Sequence, residues 1–211
     1  MEHRRLLREA FEQYGGREVD TQGDSFFVVF PRARVAVAAA VAAPRALVEH
    51  TWPTGRQVRV RIGMHTGEAS LDDGRYVGVA VHRGARISAA GHGGQILLSS
   101  STRDVVEDDL PAGQRLVDLG EYRLKDLPRP ERVFQLLADG LPSKFPPLKT
   151  ADKQELAEAA AEAVGRFPPV GRRRLLVAGA GAALIVGAVI AAILVIGGER
   201  MRCVIVVWRR S

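Results

Sequence analysis

The sequence predicts an α/β fold, a sheet covered by helices, and three observations lead to that expectation. Along residues 1–141, short runs of β-branched and aromatic residues alternate with longer Ala- and Leu-rich runs at helical spacing. Turn formers such as Gly15-Gly16 and Gly23-Asp24 separate the runs. Strands and helices alternating in this way pack as helices on a shared sheet.

Glu2 to Tyr14 reads as an amphipathic helix with Leu6, Leu7, Ala10 and Phe11 on one face, ended by Gly15-Gly16. A β-hairpin follows. Arg17 to Thr21 is extended, Ser25 to Phe30 is β-branched and aromatic, and Gly23 supplies the permissive backbone between them. Asp24 then sits at the tip, where a carboxylate is well placed to hold a divalent cation. Arg34 to Glu49 is Ala- and Val-rich at helical spacing and is expected to pack on the sheet, and Val58 to Gly63 alternates as a strand with one face buried. Arg75 to Gly91 begins extended and continues as a helix, on which His82 and Arg86 stand four apart and share a face that can reach one ligand. A strand at Gln95 to Ser99, a helix near Ser101 to Asp108, and strands around Arg115 to Leu124 and Arg132 to Leu137 close the domain.

The 211 residues are enough for one cored domain with an appendage. Residues 1–141 hold 19 Lys or Arg against 19 Asp or Glu, whereas residues 142–211 hold 11 against 5, so the +6 net charge belongs to the tail. A neutral globular part excludes a nucleic-acid binder, which needs a basic patch in its folded domain. Residues 142–174 read as a Pro-containing linker with a short Ala-rich helix, started by Asp152 and Glu155. Leu175 to Gly198 carries no charge and as a helix would span about 36 Å, enough for a bilayer core. It is expected to be a transmembrane helix, with 199–211 as a short basic tail. Arg172-Arg173-Arg174 on the domain side favour a cytoplasmic domain, and the arginines on the other flank blunt that argument. Gly179, Ala183 and Gly187 on one face of the span predict self-association. Cys203 is the only cysteine, which rules out an intrachain disulfide and a thiolate metal cluster.

Five segments occur in a familiar order. They are the hairpin with Gly23-Asp24-Ser25-Phe26; Gly63-Met64-His65-Thr66-Gly67-Glu68; Gly78 with the His82 to Arg86 helix; Gly93-Gly94-Gln95-Ile96-Leu97-Leu98-Ser99; and Leu119 to Leu127 with Pro130 to Leu136. With these the chain resembles the class III adenylate/guanylate cyclase catalytic domains of the actinobacterial type. The resemblance covers about residues 1–141 and implies a ferredoxin-like cyclase domain.

It further implies a site at the interface of a head-to-tail dimer, homodimer or heterodimer, that takes ATP or GTP with two Mg2+ or Mn2+ ions. Asp24 matches the second of two metal-holding aspartates, and Arg86 matches the arginine that stabilises the transition state. His82 replaces an asparagine and remains a donor for the ribose or a phosphate. Asp20 replaces the base-reading lysine and Arg75 its partner aspartate, so the signs are reversed and the two are expected to pair. Base preference is therefore not carried over. His65 is expected to be structural and Arg83 a solvated charge. The family's first metal aspartate lies on a first strand, in a Phe-Thr-Asp-Ile-Glu-Gly-Ser-like segment that the matched residues do not include. The sheet is thus expected to lack its first central strand, leaving backbone groups of the neighbouring strands without partners.

The resulting expectation is a cyclase domain anchored by a single pass in the cell membrane, facing the cytoplasm, that converts ATP or GTP to cyclic nucleotide and pyrophosphate if complete. The alternative is a catalytically inactive cyclase-homology module that binds nucleotide or a partner domain.

Overall fold

The computed structural model describes residues 2–22, 25–53, 55, 57–67, 70–72, 75–77, 79–149 and 203–210. The described residues all belong to one compact unit. The expected Ala-rich helix and the expected membrane span at 175–198 lie outside the described residues. Among the described residues no helix is long and apolar enough to cross a membrane.

Helix α1 (Glu2–Gln13) turns Leu7, Ala10 and Phe11 inward and is followed by Gly15 at φ 69°, a left-handed conformation that suits glycine. Strands β1 (Arg17–Gln22) and β2 (Ser25–Phe30) pair antiparallel as the expected hairpin. Arg8 ties the helix to that hairpin, donating to the Glu18 carboxylate at 2.7 and 3.0 Å while its guanidinium lies 5.4 Å from the centre of the Phe26 ring. Next come α2 (Ala33–Glu49), β3 (Val60–Gly67), the short pair β4 (Ser70–Asp72) and β5 (Arg75–Val77), and α3 (Val79–Ala90). The chain then forms β6 (Ile96–Ser99), α4 (Ser100–Val106), a 3-10 turn at Glu107–Asp109, β7 (Gln114–Tyr122), β8 (Glu131–Ala138) and β9 (Cys203–Arg210).

Seven strands make one sheet in the order β1-β2-β9-β3-β6-β8-β7, in which β3 and β6 are parallel and the other neighbours antiparallel. Residue parity divides the sheet into two faces. Val60, Ile62 and Met64 of β3, Ile96 and Leu98 of β6, and Phe134, Leu136 and Ala138 of β8 join the core built with α1, α2 and Val106 of α4. The alternate residues Leu97 and Val133 turn to the other face, where they pack with Ile87 and Ala90 of α3 and with Tyr122, Leu124, Leu127 and Leu148.

Three expectations are corrected. The strands on either side of the expected gap are not left without partners. Residues 203–210, expected to be part of a basic tail, pair on both sides with β2 and β3 and fill the middle of the sheet. Physically, Val204-Ile205-Val206-Val207-Trp208 is a continuous β-branched and aromatic run, the composition of a strand in the interior of a sheet. The start of the expected linker packs on the domain. Leu148 is buried, His92 Nε2 donates to the carbonyl of Pro147 at 2.9 Å, and the amide of Lys149 donates to the carbonyl of Ala90 at 2.8 Å. The burial of Leu148 and these hydrogen bonds hold residues 147–149 against the domain.

Candidate nucleotide site

The site-bearing helix α3 is set by the close approach of two glycines. A Cβ on Gly63 of β3 would lie 2.2 Å from the Ser88 nitrogen and 2.6 Å from the Gly84 carbonyl oxygen, both backbone atoms of α3. The helix can therefore lie directly on the strand, and this contact explains why the Gly63-Met64-His65 motif opens with glycine. On the helix so placed, His82 is exposed and Arg86 is partly buried. Arg86 forms an ion pair with Asp126, which adopts φ 60° in the turn after β7. That acceptor was not legible in the sequence, since a pairing across forty residues leaves no local periodic trace.

Arg83 is the third correction. It is not a solvated charge, because its Nε lies 3.3 Å from a carboxylate oxygen of Glu131, whose side chain is only 10% exposed. Burial pushes the Glu131 carboxyl above its ordinary range, against the opposing pull of Arg83 and of a backbone hydrogen bond from Ser100.

His65 sits beneath the helix, and the structure agrees with its structural role. Its Nδ1 lies 2.9 Å from Ser99 Oγ and 3.1 Å from Ser101 Oγ. Ser101 donates its own hydroxyl hydrogen to the Thr66 carbonyl at 2.8 Å, so it faces His65 as an acceptor and the ring proton belongs on Nδ1. Burial lowers the His65 pKa to about 4, and the charge of Arg83 adds to that shift. The imidazole is neutral at physiological pH. At the other end of β6, Gln95 donates to Gln135 at 2.8 Å, Gln135 donates to the Ser143 carbonyl at 3.1 Å, and Gln95 accepts from the His92 amide at 3.0 Å. This chain of amides ties the turn before β6 to the adjacent strand β8 and to the segment that follows it.

The remaining candidates come from the hairpins. Asp20 stands on β1 opposite Phe27, immediately after an irregularity of register between Glu18 and Asp20. Arg75 stands on β5 opposite Asp72, and β1 and β5 approach each other in the fold, which brings the strands that carry Asp20 and Arg75 together. Asp24 lies outside the described residues. Its neighbour Ser25 is in register with Arg209 of β9, which is followed by Arg210 opposite Val60.

A two-metal clamp needs convergent carboxylates. Among the described residues no group of three or more His, Cys, Asp or Glu is placed to share an ion. The strand beside the hairpin end finishes in Arg209 and Arg210.

Comparison with known proteins agrees with the motifs. Residues 1–138 match the model of the adenylate and guanylate cyclase catalytic domain. An uncharacterised protein of Mycobacterium tuberculosis is 44% identical over 147 residues, which cover 69% of this chain and 49% of that protein. The chain thus spans about half the length of the curated relatives it matches. Among solved structures, an adenylate/guanylate cyclase/hydrolase from Silicibacter pomeroyi superposes with a TM-score of 0.58 at 31% identity, covering 65% of this chain and 82% of that one. An adenylate cyclase from Trypanosoma brucei, solved as a monomer, gives 0.60 at 22% identity, covering 72% and 83%, and supports the fold alone.

Proposed function

Because the chain belongs to the adenylate and guanylate cyclase catalytic domain family, we propose that it is a module that binds ATP or GTP and, in the form described here, turns it over slowly or not at all. One observation carries this reading. Strand β9, which runs beside the hairpin end, places Arg209 opposite Ser25 and Arg210 opposite Val60, so the strand that fills this part of the sheet carries basic residues and no second carboxylate. Cyclisation joins the ribose 3′-oxygen to the α-phosphorus and expels pyrophosphate, so the attacking and leaving oxygens must both be stabilised. Cationic side chains can hold the triphosphate through its charge, but they do not supply a base or a metal-bound clamp for the attacking oxygen. Arg86 and His82, on one helix face, are the proposed phosphate and ribose contacts. Asp20 and Arg75, on adjoining strands, are the proposed base contacts.

A second reading keeps the enzyme. Asp24 and Arg86 both stand at family positions, so a dimer partner that supplied another acidic strand would let Mg2+ or Mn2+ bind and a cyclic nucleotide form. The uncharged stretch 175–198 supports placing the module at the cell membrane, facing the cytosol where its nucleotide is found.

The test uses the purified 211-residue chain in detergent, with fluorescent ATP and GTP analogues titrated in Mg2+ and in EDTA. Saturable binding that persists in EDTA is expected, with cyclic AMP and cyclic GMP at background. Robust cyclic nucleotide production would overturn the slow-turnover reading, and failure to bind either nucleotide would remove the nucleotide reading itself.

A further inference from the structure

The middle of the sheet is built by a segment far away in sequence. Strand β9 aligns Arg209 to Val204 against all of Ser25 to Phe30 on one side, and Arg210 to Cys203 against all of Val60 to Gly67 on the other. Residues 150–202 intervene between it and the last described residue of the main domain. Take β9 away and the inner edges of β2 and β3 face one another with their amides and carbonyls unpaired, beneath the helices that cover both faces. Each unsatisfied buried group is costly, and an open apolar edge invites any strand that fits.

We propose that Cys203–Arg210 is a strand donated in cis, which completes the sheet between β2 and β3 and thereby holds the end of the chain on the same side of a membrane as the domain. Its composition is suited to that place: five consecutive β-branched or aromatic residues, Val204 to Trp208, match a strand buried on both faces, and basic residues bound the run at Arg202 and at Arg209-Arg210. Charge agrees with the topology. Arg172-Arg173-Arg174 precede the apolar stretch, and Arg200 and Arg202 follow it. Basic residues accumulate on the cytoplasmic side, and two basic flanks are what a segment with both ends on that side presents. The donated strand and a single crossing by residues 175–198 exclude one another, since a crossing would carry Cys203 to the opposite side from Gly67, its register partner. Membrane association must then be by a segment that does not translocate the tail.

The proposal is independent of nucleotide binding, and its test needs no ligand. Cys203 is the only cysteine, so in Gly67→Cys any intrachain disulfide must join positions 67 and 203. Directly opposed residues of an antiparallel pair lie within disulfide reach. The full chain, expressed and kept in native membrane vesicles, is oxidised mildly and run without reductant. Most of the Gly67→Cys protein is expected to form an intrachain bridge, and wild type none. No bridge, or a bridge only between two chains, would overturn the donation in cis. As a second variant, Val206→Pro removes a donor in mid-strand, opposite Val28 and Met64. Amide exchange at residues 25–30 and 60–67 is expected to speed up by about 100-fold. Unchanged exchange there would show that β2 and β3 do not depend on β9.

Discussion

The two faces of the sheet differ in chemistry more than in shape. On the face covered by α1, α2 and α4, the buried strand residues are aliphatic and aromatic: Val60, Ile62, Met64, Ile96, Leu98, Phe134 and Leu136. On the face covered by α3, the same strands turn in Arg61, His65, Gln95, Ser99, Glu131 and Gln135, all buried. Every buried polar side chain costs free energy unless it is paired, so a polar face is an expensive way to hold a helix in place. Its concentration beneath the helix that carries His82 and Arg86 argues that this face serves position and the other serves stability.

That contrast is sharpened first where the effect is largest. Phe30 is fully buried on the apolar face, and Phe30→Ala should cost about 3–5 kcal/mol in urea unfolding, through lost burial and a cavity. Residual nucleotide binding in the folded fraction should be unchanged. A loss well under 1 kcal/mol would show that the apolar face is not the stabilising one.

On the polar face the equivalent probe adds an atom. Gly63→Ala puts a methyl group against backbone that cannot rotate away, and should cost about 1–3 kcal/mol by displacing α3. Unlike Phe30→Ala, it should also weaken nucleotide binding in the folded protein, because Arg86 and His82 move with the helix. If affinity holds while stability drops, the helix is not the positioning element.

Protonation separates the faces next. The folded pKa of His65, about 4, lies below the ordinary value near 6.5. Between these values the unfolded chain binds a proton that the folded protein refuses, so stability falls as pH drops from 6.5 to 4, by about 1.4 kcal/mol per pH unit at most. Above pH 6.5 the ring is neutral in both states and contributes no slope. His65→Asn should flatten this window relative to wild type when urea midpoints are compared at pH 7 and pH 4.5. Parallel pH curves for the two proteins would assign the acid sensitivity to other groups.

What the sequence shows of this molecule follows the same division. Periodicity recovers α1, α2, the hairpin and β6 to within a residue or two, since each element buries one stripe or one face. It runs out where pairing partners are distant. β9 has the composition of an interior strand, but nothing local says that its neighbours are β2 and β3, and its position after an apolar stretch invites a tail reading instead. Motif position singles out Asp24, His82 and Arg86 as the proposed site residues. The restraints on the site are not legible: Asp126 holding Arg86 and Glu131 holding Arg83 meet only through tertiary packing.

The smallest expected effect concerns that first restraint. Asp126 combines two features that oppose each other: a left-handed φ of 60°, which disfavours most side chains, and an ion pair with Arg86 that is more than half exposed on the acid's side. An exposed pair of this kind contributes about 0–1 kcal/mol, and glycine at a left-handed position recovers a similar amount by removing the Cβ. Asp126→Gly should therefore leave stability within about 1 kcal/mol of wild type. Affinity should respond differently. With its carboxylate competitor gone, Arg86 becomes available to a phosphate, and nucleotide binding should tighten several-fold, the more so at low salt where the lost competition is least screened. Asp126→Asn, which tolerates the same φ and removes only the charge, should tighten binding to a similar degree. If both variants bind nucleotide as wild type does, Arg86 is a structural arginine of the α3 face, and the phosphate contact must be sought among the hairpin residues instead.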